Sequence, residues 1–516
     1  MSAQQRLRVF DRRLRPRRYV PRLVVTVGVA VSIGAGVASP AGAAERRGSP
    51  EPAVVSVVNA SGVSPWAGLN CIARNQETSG VARMGEPAFA VNPRNRREQS
   101  VAWMDTQSGP ADTAFTLDGG RSWHKALPVG TDPCTGIVDT HGRTYEGSAD
   151  PWLSYGINGT LYFSSMPFSN FFTAPTSSYI EPVAVERAPN SSDWSLPVNT
   201  PDPLMAQDKP EVLADRAKPS FVYTLSRNAG FGLPIGARGD GQLLFARSAD
   251  GGRSFTETVL GDAHSESEAF GIPQLVQLAD GTLVASAGFP ASLGGGTRSL
   301  RSTDRGAHWS APSAPQPALP ASATLKACGT VLDLNTWGGQ EAVLNGRTIL
   351  AINVVNRTAR GSARIIMSRS SNAGRSWVNF TSYRSKLPVG LASIATDQAG
   401  RIGMVFDQAD LSHVACSPSP KVPVRTEFVV SRNGGRSWSH PTRIGAPWWN
   451  FASTPPIPFF GGYWIGDYST VAAVPGQGFG AAVAEGRSIV HAHGDPKITG
   501  LVSILVAELR VNGRHR

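Results

Sequence analysis

Four acidic residues stand at the head of short apolar segments: Glu86-Pro-Ala-Phe, Asp150-Pro-Trp-Leu, Asp208-Lys-Pro-Glu and Asp467-Tyr-Ser-Thr. Carboxylates that converge can divide acid and base roles between them, or hold a hard cation such as calcium as a structural ion. An acid next to proline also suits a plainer task, ending a loop by accepting backbone N–H bonds. Both readings stand at this level. His491-Ala-His493-Gly-Asp495 puts two imidazoles on one face of an extended segment, a ligand-like spacing, but no third ligand is identifiable, so we read it as a connection between strands. Met166-Pro-Phe-Ser-Asn-Phe-Phe172 and the run from Trp448 through Phe451 to Tyr463 and Trp464 offer aromatic faces that would either stack on sugar rings or cap apolar layers. No nucleophile elbow, phosphate loop or dinucleotide fingerprint occurs, and no cofactor is called for.

The elements that would position the four acids repeat. Each acid opens an apolar segment followed by a Gly or Asn turn and a second apolar run, such as Thr160-Leu-Tyr-Phe-Ser. Gly271-Ile-Pro-Gln-Leu-Val, Gln340-Glu-Ala-Val-Leu and Gly390-Leu-Ala-Ser-Ile-Ala make seven such openings, which we read as the innermost strands of seven sheets. If so, Glu86, Asp150, Asp208 and Asp467 take equivalent places at one mouth of a central channel, as a negatively charged funnel. A second series is an octamer: Thr116-Leu-Asp-Gly-Gly-Arg-Ser-Trp123, Ser248 to Phe255, Ser302 to Trp309, Ser370 to Trp377 and Ser431 to Trp438, with a worn copy ending at Trp194. Its aromatic ends are 54 to 71 residues apart, one supersecondary unit repeated. As a hairpin turn it is self-consistent: Asp or Asn accepts from turn amides, Gly takes positive φ, and the terminal aromatic enters an apolar layer.

The octamer resembles the Asp-box, or BNR, repeat of sialidase-like β-propellers, Ser/Thr-x-Asp-x-Gly-x-x-Trp, over about residues 80 to 510. The resemblance implies an all-β chain, a β-propeller of four-stranded antiparallel blades. Seven blades are expected, with six, as in the sialidases, the alternative. The seventh would be completed by the N-terminal strand Ala53–Asn59, hiding two sheet edges. Such repeats do not fix an activity. In catalytic sialidases a Tyr-Ser segment opening the last blade carries the nucleophile, followed by a Gly-rich turn and a strand ending in Glu; here that run is Tyr468-Ser469-Thr470, Gly476 to Gly480 and Ala481 to Glu485. The resemblance therefore implies Tyr468 as nucleophile, since a phenol suits attack on an anionic sugar when a carboxylate takes its proton, with Glu86 or Asp208 as acid/base support. Arg487 would be a substrate clamp, and Arg83 and Trp464 would lie on the substrate side. The chain departs from the family where an Arg-Ile/Leu-Pro segment is expected and Gly85-Glu86-Pro87 stands, with Arg83 out of register.

Charge points outward from the cell rather than to nucleic acid. The chain has 516 residues with Lys+Arg 49 and Asp+Glu 38, but eight arginines lie within residues 1–22 against the single acid Asp11. The remainder is close to neutral, so the basic excess is read as a targeting segment and tail, and no nucleic-acid partner is expected. Leu23 to Ala38 is apolar and ends at Ser39-Pro-Ala-Gly-Ala-Ala44, the layout of a cleaved export signal and too short for a membrane span. Residues 1–44 are thus read as a signal peptide, 45–80 as an N-terminal segment with the closing strand, 81–510 as the propeller and 511–516 as a basic tail. An exported chain with Cys71, Cys134, Cys328 and Cys416 admits two disulfides in three connectivities. The expectation is a secreted, monomeric protein without a stable membrane span that acts on extracellular glycans. It would be either an exo-α-sialidase-like glycoside hydrolase or a non-catalytic propeller that binds glycan or protein. A lyase or endo-glycanase using the acidic ring is a third reading.

Overall fold

A computed structural model describes the chain from residue 51 to 511, except for residues 66–83, 106–110, 132–144, 146, 170–178, 181–183, 201–206, 229–242, 261–272, 290–295, 314–318, 321, 335–339, 359–360, 455, 457–461 and 491–497. The export segment, Cys71, Cys134, Arg83, Phe171, Phe172 and the His491–Asp495 run lie outside the described residues. Within them the chain is all β, with a single turn of 3₁₀ helix at Phe451–Ser453. No helix among them is long and apolar enough to cross a membrane.

Among the described residues, seven antiparallel sheets, besides one small sheet described below, follow one another along the chain. Their first strands are Met84–Val91, Gly147–Tyr155, Gln207–Ala214, Gln274–Gln277, Gln340–Leu344, Val389–Thr396 and Thr470–Val474. Each coincides with one of the seven apolar openings, or begins within three residues of one. Strands then pair in chain order, four in sheets 1, 3 and 5, for instance Gln207–Ala214, Val222–Asn228, Leu243–Ser248 and Thr256–Leu260 in sheet 3, and three in sheet 4. Sheet 7 is built from both ends of the chain: Thr470–Val474, Gly478–Gly486 and Val502–Arg510 are completed by Ala53–Asn59, which runs antiparallel to Val502–Arg510 from Ala53 opposite Arg510 to Asn59 opposite Leu505. That pairing covers an edge that would otherwise present unpaired N–H and C=O groups. Successive first strands pack against one another, and that of sheet 7 packs against that of sheet 1.

The octamers follow the third strands, leading to a fourth in sheets 1, 3, 5 and 6, and share one hydrogen-bond pattern. Thr116 Oγ1 accepts from Gly120 N at 3.0 Å and donates to Asp118 Oδ1 at 2.7 Å, and Asp118 Oδ1 accepts from Arg121 N and Ser122 N at 2.9 and 3.1 Å. The bonds from the glycine and from the residue four places on recur around Asp250, Asp304, Asn372 and Asn433, and the bond from the residue three places on recurs at Asp250 and Asn433. Where Asn replaces Asp, its amide donates to the following serine instead of accepting from it, at 2.8 Å in Asn372 to Ser376. Gly120, at φ +92°, holds the conformation that a side chain resists. The terminal aromatics reach the preceding sheet: Trp377 Nε1 donates to Ser299 Oγ at 3.1 Å, Trp438 Nε1 to Ser382 O at 3.0 Å, and Trp309 stands edge-on to Phe245 at 4.8 Å. The core is accordingly a series of layers between neighbouring sheets, such as Leu350, Ile365, Met367, Ile402 and Phe406 between sheets 5 and 6. Burying each large side chain contributes about 1.5–3 kcal/mol.

A strap covers sheet 6. Lys326–Ala327 and Thr330–Leu332 form a small sheet with Gly462–Tyr463, and the Cys328–Cys416 disulfide ties it to the connection after the second strand of sheet 6. Leu391 N donates to Leu334 O at 3.0 Å, and a Cβ on Gly390 would lie 1.8 Å from that oxygen, so only glycine admits the strap there.

Candidate functional site

The starts of the first strands share a local distortion. In sheets 1, 2, 3 and 6 the pairing register shifts between Gly85 and Ala88, Ala149 and Trp152, Asp208 and Glu211, and Gly390 and Ser393. Inside each shift one non-glycine residue takes a left-handed conformation: Glu86 at φ 54°, Asp150 at 52°, Lys209 at 54° and Leu391 at 46°. A bulge of this kind turns a side chain out of the sheet's alternation. Pro87, Pro151 and Pro210 follow three of the four and have no N–H to give the ladder, which explains why pairing breaks there. Left-handed non-glycine residues cost about 1–3 kcal/mol each, so the surroundings must enforce them.

Here the enforcing group is a lysine. Lys209 Nζ lies 3.0 Å from Glu86 Oε1 and 2.5 Å from Asp467 Oδ2, and it also bonds Asp150 Oδ1. Glu86 further accepts from the backbone N–H groups of Asp150 and Asp467, both at 3.3 Å. Gly466, at φ +113°, lets Asp467 run so close, since a Cβ there would come within 2.5 Å of Glu86 N. Beside this group, Asp208 Oδ2 accepts from Arg227 Nε at 2.8 Å and also bonds Arg227 Nη2. Trp464 Nε1 donates to Asp467 Oδ1 at 2.9 Å. The Tyr468 hydroxyl donates to Pro151 O at 2.8 Å, and its ring meets Trp152 edge-on at 5.3 Å. Glu86, Asp150, Asp208, Lys209, Trp464 and Tyr468 are all buried.

Four acids against two cations in a poorly solvated space set the protonation. Burial, helped by Asp467, pushes the Glu86 carboxyl up although Lys209 opposes it. Burial and the neighbouring Glu86 push Asp150 up further. For Lys209, burial alone would favour the neutral amine, but Asp150, Asp467 and Glu86 outweigh it and hold the ammonium well above the ordinary lysine range. Asp208 goes the other way: burial would raise it, and Arg227 with Lys209 brings it below the ordinary carboxyl range. The Tyr468 phenol is driven well up by burial and by the negative charge of Glu86 and Asp150.

Several expectations change on this geometry. The slot shared by Glu86 and Asp150 is filled in sheet 3 by Lys209, not Asp208, because the equivalent position is the residue before proline. Asp208 is displaced one place and pairs with Arg227. The funnel is a closed ion cluster rather than an open acidic mouth. Oxygens of Glu86, Asp150 and Asp467 do come within 4.8 Å of one another, as cation ligands would, but the Lys209 ammonium bonds all three. Tyr468 lies among these groups with its hydroxyl donated to a backbone carbonyl. Arg487 is exposed and bonds Gly500 O at 3.4 Å and, through its backbone, Ser453 Oγ at 3.0 Å. Trp464 is buried, and Met166, Phe168, Trp449, Phe451 and Tyr463 are core rather than an open sugar platform. Sequence reasoning missed Lys209 and Arg227. For Lys209 the signal was present, since Lys209-Pro210 repeats the pattern of Glu86-Pro87 and Asp150-Pro151. Arg227 is found only through its place opposite Asp208 in the ladder.

No protein-family model matches the chain, and no curated protein matches it. Among solved structures it is similar to the Hadza microbial sialidase Hz136, at 15% identity over 80% of this chain and 74% of that one, with a TM-score of 0.46. It is also similar to a protein of unknown function from Dyadobacter fermentans, at 11% identity over 90% and 100% of the two chains and a TM-score of 0.44. A third is a polysaccharide lyase of family PL25, an ulvan lyase, at 11% identity over 83% and 96% and a TM-score of 0.43. At these values the likeness carries no residue of the site from one chain to another.

Proposed function

We propose that the chain is an exported, seven-bladed, sialidase-like β-propeller that binds extracellular glycans, and that the centre around Tyr468 is structural. The observation that carries this reading is the Lys209 ammonium bonded to Glu86, Asp150 and Asp467 at once. A general acid or base must reach a substrate proton, and these carboxyls are turned toward an internal cation instead. A tyrosine nucleophile needs a base at its hydroxyl. Tyr468 has a carbonyl there, and the surrounding acids raise the cost of its phenolate. The run of sheets whose first strands pack in sequence and whose last sheet joins both chain ends supports the blade count. The layout of residues 1–44 supports export.

The second reading is an exo-α-sialidase-like hydrolase in which Tyr468 attacks. What favours it is that Tyr468 sits within electrostatic reach of Glu86, Asp150 and Asp467, the company such a nucleophile keeps. Hydrolysis of a fluorogenic sialoside by the purified protein and by Tyr468→Phe, beside a saturation-binding measurement on immobilised sialylated and neutral glycans, separates the two. Binding with no turnover supports the glycan-binding propeller. Turnover that disappears in Tyr468→Phe overturns it in favour of the hydrolase, and neither binding nor turnover overturns both.

A further inference from the structure

Away from the Lys209 cluster, residues of three first strands and the turns that follow two of them share a cavity. Ala342–Val343 of sheet 5, Ile394–Thr396 of sheet 6 and Val471–Ala473 of sheet 7 line it, and its volume of about 590 Å³ fits a small-molecule site. Arg216, two residues beyond the first strand of sheet 3, lines the same cavity. Its backbone N–H is tied to Gln277 Oε1 at 2.8 Å, but its guanidinium has no hydrogen bond or ion pair among the described residues. Its side chain is exposed and opens onto the cavity, and the crowding of protein around it, with no offsetting acid, lowers its pKa.

The nearby acids are committed elsewhere. Asp215 accepts from Ala217 N, Lys218 N, Tyr223 and Gln277. Asp397, on the cavity wall, accepts from Ala399 N, Arg401 N and Arg401 Nε. Glu341 accepts from Ser286 Oγ at 2.6 Å through Oε1, while its buried Oε2 has no partner. Burial pushes the Glu341 carboxyl up to about 8, with Ser286 opposing, so at neutral pH it is an uncharged donor that does not cancel Arg216. A guanidinium with no counter-charge, facing a cavity beside a neutral carboxyl, is an anion site by its chemistry.

We propose that this cavity binds a small oxyanion, a phosphate or a carboxylate no larger than a sugar acid, through the Arg216 guanidinium. The proposal is independent of what the glycan-binding reading assigns to the chain. The test is titration calorimetry on the purified protein with inorganic phosphate and with glucuronate at constant ionic strength, chloride serving as the reference anion. Saturable binding of either anion is expected, weakened at least tenfold in Arg216→Gln and less in Arg216→Lys. Phosphate alone, or glucuronate alone, identifies which oxyanion the site prefers. The unliganded melting temperature of Arg216→Gln should stay close to that of the parent, because the side chain removed is exposed and makes no ion pair; Arg216→Lys serves the binding comparison if Gln does not fold. Absence of saturable binding, or binding unchanged in both variants, overturns the proposal, and so does a drop in unliganded melting temperature accompanied by unchanged binding.

Discussion

Replacing Lys209 with methionine tests whether the cluster is held together by its central cation. The change keeps most of the buried stem and removes one positive charge from contact with Glu86, Asp150 and Asp467. Removing one partner of a buried ion pair typically costs about 3–5 kcal/mol, because the remaining charge is left uncompensated. The pH dependence is more diagnostic than the size. Lys209 lowers the Glu86 and Asp150 carboxyls, so its loss must drive both further up from values that burial has already raised. A carboxyl whose folded pKa lies above its unfolded one loses stability as pH rises between the two values, by about 1.4 kcal/mol per pH unit for each extra proton held in the folded state. The variant should therefore be most destabilised near pH 8 and recover toward the parent as pH falls to 5. Urea unfolding at pH 5, 6, 7 and 8, followed by tryptophan fluorescence, measures this. A loss under about 1 kcal/mol at pH 8, or a loss that does not change with pH, would refute the reasoning.

Two further outcomes follow from groups outside the cluster. Asp407, in the second strand of sheet 6, is buried with Oδ1 bonded to Thr426 and Oδ2 without a partner, and burial pushes it up to about 7. Its folded pKa exceeds the unfolded one, so it subtracts stability as pH rises from about 4 to 7; Asp407→Asn should raise the melting point at pH 8, by the equivalent of about 2–4 kcal/mol, and by less at pH 5. In the octamer turn, burial would raise Asp250, but its bonds from Ser254, Ser248 and Arg253 together outweigh that and bring it down to about 2. Its contribution is present above pH 4 and is lost only in strong acid. Asp250→Ala should cost about 1–2 kcal/mol in a denaturant melt at pH 7, whereas Asp250→Asn should stay within about 0.5, because sheets 5 and 6 already use Asn372 and Asn433 in that slot.

Much of the framework was legible from sequence because its determinants are local. The octamer specifies its own turn: the serine or threonine, the acid or amide two places on, and the positive-φ glycine bond to one another within five residues, so the pattern survives without knowledge of its neighbours. Strand openings were legible for the same reason, down to Gln340–Leu344 and the closing strand Ala53–Asn59. The site was less legible because its partners come from separate sheets. Lys209 and Asp467 are 258 positions apart and meet only when sheet 3 and sheet 7 face the same centre. Nothing local distinguishes a carboxylate that faces substrate from one that faces an ammonium.

The proline carries the correction. Aligning the segments by acidity puts Asp208 beside Glu86 and Asp150 and yields a funnel of like charges, which in a low dielectric would repel by several kcal/mol per pair and could persist only with a bound cation or bound protons. Aligning them by the residue that interrupts the ladder puts Lys209 there, and the cation is supplied by the chain itself. A proline has a single backbone consequence at a strand start, whereas an acid has many uses, so the backbone constraint is the better anchor for register. Sheet 6 has the same bulge without a proline, and there Leu391 occupies the slot without any charge and sits under Leu334 of the strap. The four equivalent bulges thus divide by surroundings: three turn ionisable side chains toward one centre, and the fourth turns an apolar one under a covering strand.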